Sequence, residues 1–243
     1  METFEIPLHP LLVFLVVLAR VGGLVTFAPF WSHNAAPPKV RVILAFVLSI
    51  ALTPIITTKI QTPPDEIYAL TIVLLGELLI GLAMGFVGKL VFSGFEMAAF
   101  LIGSQMGFAL AGTIDPSTRA QTTAFGTIAQ MIGLMVLLGA DGHHWFLAAT
   151  VKSFSTTAPG TFTYSPELLE IFLRLSASAI AVGVSLAAPA LIVLLAVELS
   201  LEFFGRTAPQ FQVFILGFSI KIAVGLWLIG AALFLCQMRF AMF

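Results

Sequence analysis

Asp141-Gly142-His143-His144 is the run in this chain that most resembles a site for chemistry, with a carboxylate and two imidazoles side by side. Adjacent histidines point in different directions on a helix, and the i, i+4 spacing that sets two metal ligands on one helical face is absent. A metal centre would need a further ligand, and neither His9 nor His33 stands in a carboxylate motif. The run therefore reads as a polar interfacial turn, with Trp145 anchoring the boundary. No Gly-rich phosphate loop, no Ser/His/Asp grouping with recognisable flanks and no paired active-site carboxylates occur elsewhere. Cys236 is the single cysteine, too few for an internal disulfide or a multi-cysteine metal site. The expectation is a non-enzymatic protein without metal or cofactor, and a formal net charge of −1 gives no basic field for nucleic acid.

Three charged residues stand out for their surroundings. Arg20, Glu77 and Lys221 each fall near the middle of an apolar stretch. A charge there costs about 2.5 to 3.5 kcal/mol on membrane-insertion scales, so all three should point inward. One reading is a polar pathway for a substrate or ion. The favoured one is a structural ion pair between helices, for example Glu77 with Lys221.

The elements that must position these charges follow from composition. Aliphatic, aromatic and cysteine residues make up 59% of the 243 positions and charged residues 9%, against about 25% charged in an ordinary soluble domain. Such a chain cannot cover its outside with polar groups, whereas a bilayer accepts an apolar outside and demands helices that satisfy their own backbone. Predominantly apolar stretches near the roughly 20 residues of a spanning helix lie at 10–31, 40–58, 67–88, 94–112, 122–139, 176–197 and 211–236. The fold class is all-α: a single membrane-embedded domain over 1–243, with six or seven long hydrophobic helices arranged as hairpins. Pro54 near the end of one stretch and Pro189 inside another predict kinks or breaks.

The connections are turn-rich: 34–38, 61–65, 113–117 and a longer one around Pro159-Gly160. The amino terminus carries two acids and lacks the Lys/Arg of a cleavable signal, so the first hydrophobic segment is expected to be retained. With seven spans, Lys39, Arg41, Lys89, Lys152, Arg174 and Arg239 fall on one side and Lys59, Arg119 and Arg206 on the other. That bias predicts an outside amino terminus. Gly81-x-x-x-Gly85 and Gly103-x-x-x-Gly107 set small residues one turn apart, the pattern that lets helices approach closely; chance produces it too in a chain with 20 glycines.

Glu202 to Lys221 contains Arg206, then Pro209-Gln210, Phe214, and Gly217-Phe218-x-x-Lys221. This combination resembles the best-marked stretch of the FliR family. Ala19-Arg20, Arg41 with Leu44-Ala45, Glu77-x-x-x-Gly81-x-x-x-Gly85-Phe86, Gln105-Met106-Gly107, Asp115-Pro116 and Gly142-His143 continue the resemblance in order over about 10–235. Gln212 departs from the more usual Asn, and Phe100 from a common Gly. Virulence-type secretion subunits, the SctT relatives, share much of the pattern.

The resemblance implies an inner-membrane protein of the flagellar basal body, part of the type III export gate. It would assemble with FliP-like and FliQ-like subunits and FlhB, in contact with membrane lipid, around the path of unfolded flagellar proteins. It further implies that Met106, Gly107, Phe108, Gly112, Asp115 and Pro116 belong to a loop plugging the closed pore. Arg206, Pro209, Gln210 and Phe214 would serve packing. The rival class is a small-molecule or ion transporter, with Arg20, Glu77 and Lys221 as ligands.

Overall fold

The computed structural model describes residues 8–31, 37–57, 66–108, 124–161, 166–207 and 213–240. Seven helices occur among them: α1 (Leu8–Phe27), α2 (Pro38–Thr57), α3 (Ile67–Gln105), α4 (Ala124–Gly139), α5 (Gly142–Thr156), α6 (Pro166–Thr207) and α7 (Val213–Phe240). The all-α expectation holds. Four of these helices are long and apolar enough to cross a membrane, or five if α4 and α5, bent by 63° at their junction, form one span.

Two boundaries differ from the sequence reading. The stretches 67–88 and 94–112 are not separated: α3 is one helix of 39 residues. Lys89 and Glu96 interrupt the hydropathy but not the backbone. Lys89 is exposed, with its ammonium 5.9 Å from the Phe27 ring centroid, and Glu96 accepts a hydrogen bond from the Gln130 amide. The seven-span tally behind the predicted orientation loses its footing, because Lys89 lies within a helix and not in a connection. Conversely, the polar run at 141–144 opens a helix, α5, that the apolar pattern did not show. Its Trp145 is 70% exposed.

Prolines do not end the helices that contain them. Helix α2 continues past Pro54 to Thr57, and α6 runs 42 residues through Pro189. Hydroxyl side chains within the apolar helices satisfy themselves locally. Ser49 donates to the Ala45 carbonyl (2.6 Å), Thr53 to Ser49 (2.6 Å) and Thr57 to Thr53 (2.7 Å), so none needs water.

The chain divides into two compact units, one of 1–92 with 134–177 and the other of 93–133 with 178–243. In the first, α1 presents a buried stripe of Val13, Val16, Val17, Val21, Leu24 and Val25 at helical spacing. Ala45, Leu52 and Ile56 of α2 and Phe154 of α5 join that core. In the second, Met106, Phe125 and Leu194 are the buried centre, with Ile102, Ala129, Ile222 and Ile229 packed around it.

Candidate functional site

Arg20 lies on the same face of α1 as the buried valines and is itself 0% exposed, as is Glu77 of α3. The glycines explain how they meet. A Cβ on Gly81 would collide with the Arg20 carbonyl, one on Gly85 would lie 2.6 Å from the Leu24 carbonyl, and one on Gly23 2.5 Å from that of Leu78. Backbone therefore rests on backbone where α1 crosses α3, and the small-residue spacing at 81 and 85 is put to use. Glu77 sits one turn from Gly81, so the close approach delivers its carboxylate to Arg20.

The guanidinium is held on every side. Its Nε donates to Glu77 Oε2 at 2.6 Å, one terminal nitrogen to Ser153 Oγ at 3.0 Å and the other to the Thr157 carbonyl at 3.2 Å. Its carbon lies 3.9 Å from the Phe154 ring centroid. The α5 helix that the sequence reading missed supplies Ser153 and Phe154, with Thr157 just beyond its end. Glu77 Oε1 has no hydrogen-bond partner among the described residues. The arrangement fixes three helices and presents no open face to a substrate.

Lys221 pairs differently from expectation. Glu77 and Lys221 each find a partner within their own compact unit: Glu77 is taken by Arg20, and Lys221 Nζ donates to Glu198 Oε1 at 2.7 Å. Glu198 also accepts from Gln105 Nε2 through its other oxygen at 2.6 Å. This cluster joins the last residue of α3 to α6 and α7. It is only half-buried, with Lys221 at 18% and Glu198 at 36% exposure. The sequence reading passed over Glu198 because it stands at the charged edge of a long apolar run.

Just beyond Gln105, α3 stops in a defined way. Gly107 has φ 93°, a conformation that favours glycine. The Gly107 N–H reaches the Ser104 carbonyl (3.0 Å) and the Phe108 N–H that of Gly103 (3.1 Å), the paired bonds of a Schellman cap. Met106 is fully buried against Gly225, and Phe108 stacks on Phe125 at 5.5 Å with rings 9° apart. Three residues expected in a plug are thus the anchored end of a helix. Gly112, Asp115 and Pro116 lie outside the described residues.

In the family motif, Arg206 is exposed in the last turn of α6, where a cation suits the helix dipole. Gly217 is buried in α7. Pro209 and Gln210 fall outside the described residues, and Phe214 lies on α7.

Asp141, His143 and His144 converge more than helical spacing allows, because Asp141 adopts the left-handed conformation at φ 55°. Their potential ligand atoms lie within 4.8 Å of one another, and His144 Nδ1 is 3.4 Å from Asp141 Oδ1. Asp141 and His144 are exposed and His143 packs edge-on to Phe30 at 6.5 Å. The donor set offers one carboxylate and two imidazoles at a helix amino terminus, whose dipole disfavours a cation.

The family described as bacterial export proteins, family 1, matches residues 11–242. The flagellar biosynthetic protein FliR of Bacillus subtilis is 31% identical, covering 87% of this chain and 82% of the relative. Its namesake in Escherichia coli is 30% identical over 88% and 81%. That of Caulobacter vibrioides is 29% identical over 90% and 87%. The match of nearly the whole length to that family, together with the long apolar helices, shows that this chain is a membrane protein belonging to the FliR family of bacterial export proteins.

Proposed function

We propose that this chain is a non-enzymatic subunit of the flagellar type III export gate in the bacterial inner membrane, lining part of the path of unfolded flagellar proteins. Membership of the FliR family makes it a component of the flagellar export apparatus. The finer reading rests on that family match over residues 11–242. The relatives quoted all carry the flagellar name, which favours the flagellar branch over the virulence type. The charges that a transporter would offer to a substrate are engaged: Arg20 with Glu77, and Lys221 with Glu198.

Its partners in this reading are FliP-like and FliQ-like subunits and FlhB. The stretch that follows α3 closes the pore at rest, with Met106 to Phe108 as its fixed root and Gly112, Asp115 and Pro116 in its body. Purification of the tagged chain from native membranes tests the assembly: FliP-like and FliQ-like proteins should come with it. Recovery alone or as a homo-oligomer sinks the reading.

The closing role has its own test. A mere connection tolerates shortening, because loop length costs little free energy. Deleting residues 110–116 should leave the assembly intact yet let ions leak through the resting gate. Normal assembly with an impermeable membrane and ordinary export would reduce the stretch to a link.

A further inference from the structure

We propose that the outward face of α6 at Ser185 and Pro189 docks a helix of a different protein, which donates a hydroxyl or amide hydrogen to the Ser185 carbonyl. Proline has no N–H, so the helical bond that residue 189 would give to the carbonyl of residue 185 cannot form, and the ring crowds that carbonyl. Helix α6 nevertheless runs on through Pro189 to Thr207. The N–H groups on either side of the proline, those of Ala188 and Ala190, serve Val184 and Leu186 in the regular i to i−4 pattern. The Ser185 hydroxyl is engaged with the Ala181 carbonyl at 2.7 Å. From Ala179 to Val197 it is the one polar side chain, so this stretch of α6 has no further donor to offer the stranded carbonyl.

The site faces away from this chain's own packing. At 100° per residue, Ser185 and Pro189 stand about 140° round the axis from the stripe of Ala179, Gly183, Ala187, Ala190 and Leu194. Those five are buried. A Cβ on Gly183 would lie 2.7 Å from the Gly94 carbonyl of α3, so that side is closed backbone to backbone. Ser185 and Pro189 are exposed, among Val182 at 51%, Leu186 at 53% and Ile192 at 68%. An acceptor is thus set in an uncovered apolar surface, in the middle of a charge-free run from Leu175 to Val197. A backbone carbonyl left without a donor in such surroundings is unfavourable.

The acceptor selects its occupant. An acyl chain has no hydrogen to donate, and a second copy offering the same face would set acceptor against acceptor. A helix of another protein with Ser, Thr, Asn or Gln at that level meets both demands, covering the apolar residues and bonding the carbonyl. The inference rests on the gate reading only for the existence of an assembly.

The test uses the full-length chain in native membranes, with a photo-crosslinker in place of Leu186 and the captured peptide identified by mass spectrometry. That peptide should come from another protein and carry one of those four residue types within a turn of the adduct. Pro189→Ala restores the missing N–H, so it should raise the thermal midpoint of the purified chain by about 2 to 6 °C. The same change should lower the crosslink yield about three- to tenfold, the range for one hydrogen bond between membrane helices. Pro189→Gly supplies the same N–H while leaving the helix free to bend, and should lower the yield alike. A loss in the alanine variant alone assigns the effect to straightening and overturns the proposal. So does an undiminished yield, a lowered midpoint in Pro189→Ala, or capture of lipid, of a second copy, of a donor-free segment or of nothing. A captured neighbour unlike FliP or FliQ would sink the gate reading and leave this one standing.

Discussion

The chain uses one device twice, a carboxylate shared with a cation between helices, and the two copies differ in burial. Arg20–Glu77 is sealed at 0% exposure, with every guanidinium nitrogen bonded. Glu198, with Lys221 and Gln105, keeps part of its surface open and sits where α3 ends. Burial decides what each can do. Breaking a buried pair strands a charge at several kcal/mol, so such a pair cannot open in service. A half-exposed pair contributes about 0 to 1 kcal/mol and can exchange partners cheaply. The first behaves as a rivet, and the second has the energetics of a catch.

The largest effect should come from splitting the sealed pair. Glu77→Leu alone should destabilise the chain by about 3 to 5 kcal/mol, read as a collapse in folded yield. Adding Arg20→Leu should recover much of it. Strict additivity of the two losses would deny the coupling, and Glu77 with Lys221 should be additive.

Next comes the crossing that carries the pair. Gly81→Ala should cost about 1 to 3 kcal/mol through forced separation of α1 and α3, measured as a lowered midpoint in thermal unfolding. The same change at Gly22 should be neutral or slightly stabilising, because it adds helix propensity in open space. Equal effects at 81 and 22 would contradict the backbone contact.

Smaller still is the catch. Glu198→Gln should change folded yield by less than about 1 kcal/mol, yet alter resting ion conductance or export rate. A large loss of yield with normal conductance would make it a second rivet. The smallest effect belongs to His143→Gln with His144→Gln, within about 0.5 kcal/mol and with flagellar export intact. Loss of a bound metal together with export would revive the chemistry that its residue types suggest.

Which parts of this were legible in the sequence follows from the range of the interactions. The membrane class, the inward orientation of Arg20 and Glu77 and the glycines at 81 and 85 rest on local cost and spacing, and all are found in the fold. The identity of the partners was not legible. Glu77 had two cations to choose from, and only the crossing at Gly81 selects Arg20, which lies 57 positions away. Hydropathy misjudged α3 because it weighs Lys89 and Glu96 as interruptions, although the helix itself absorbs both. It missed α5 for the converse reason, since a helix that opens with two histidines does not look apolar. The convergence of Asp141 with the histidines depends on one left-handed residue, which composition does not reveal.

The length of α3 also bears on how the cell must handle the chain. At 39 residues the helix extends about 58 Å. Even tilted by 40°, the upper end of what is observed, it would rise about 44 Å if straight, against a hydrocarbon layer of about 30 Å. More than a turn of apolar side chains is then left in water until something covers it, and such surfaces invite aggregation and proteolysis. In the gate reading proposed above, a newly made copy would therefore be short-lived until companion subunits cover that surface, and its abundance would follow theirs.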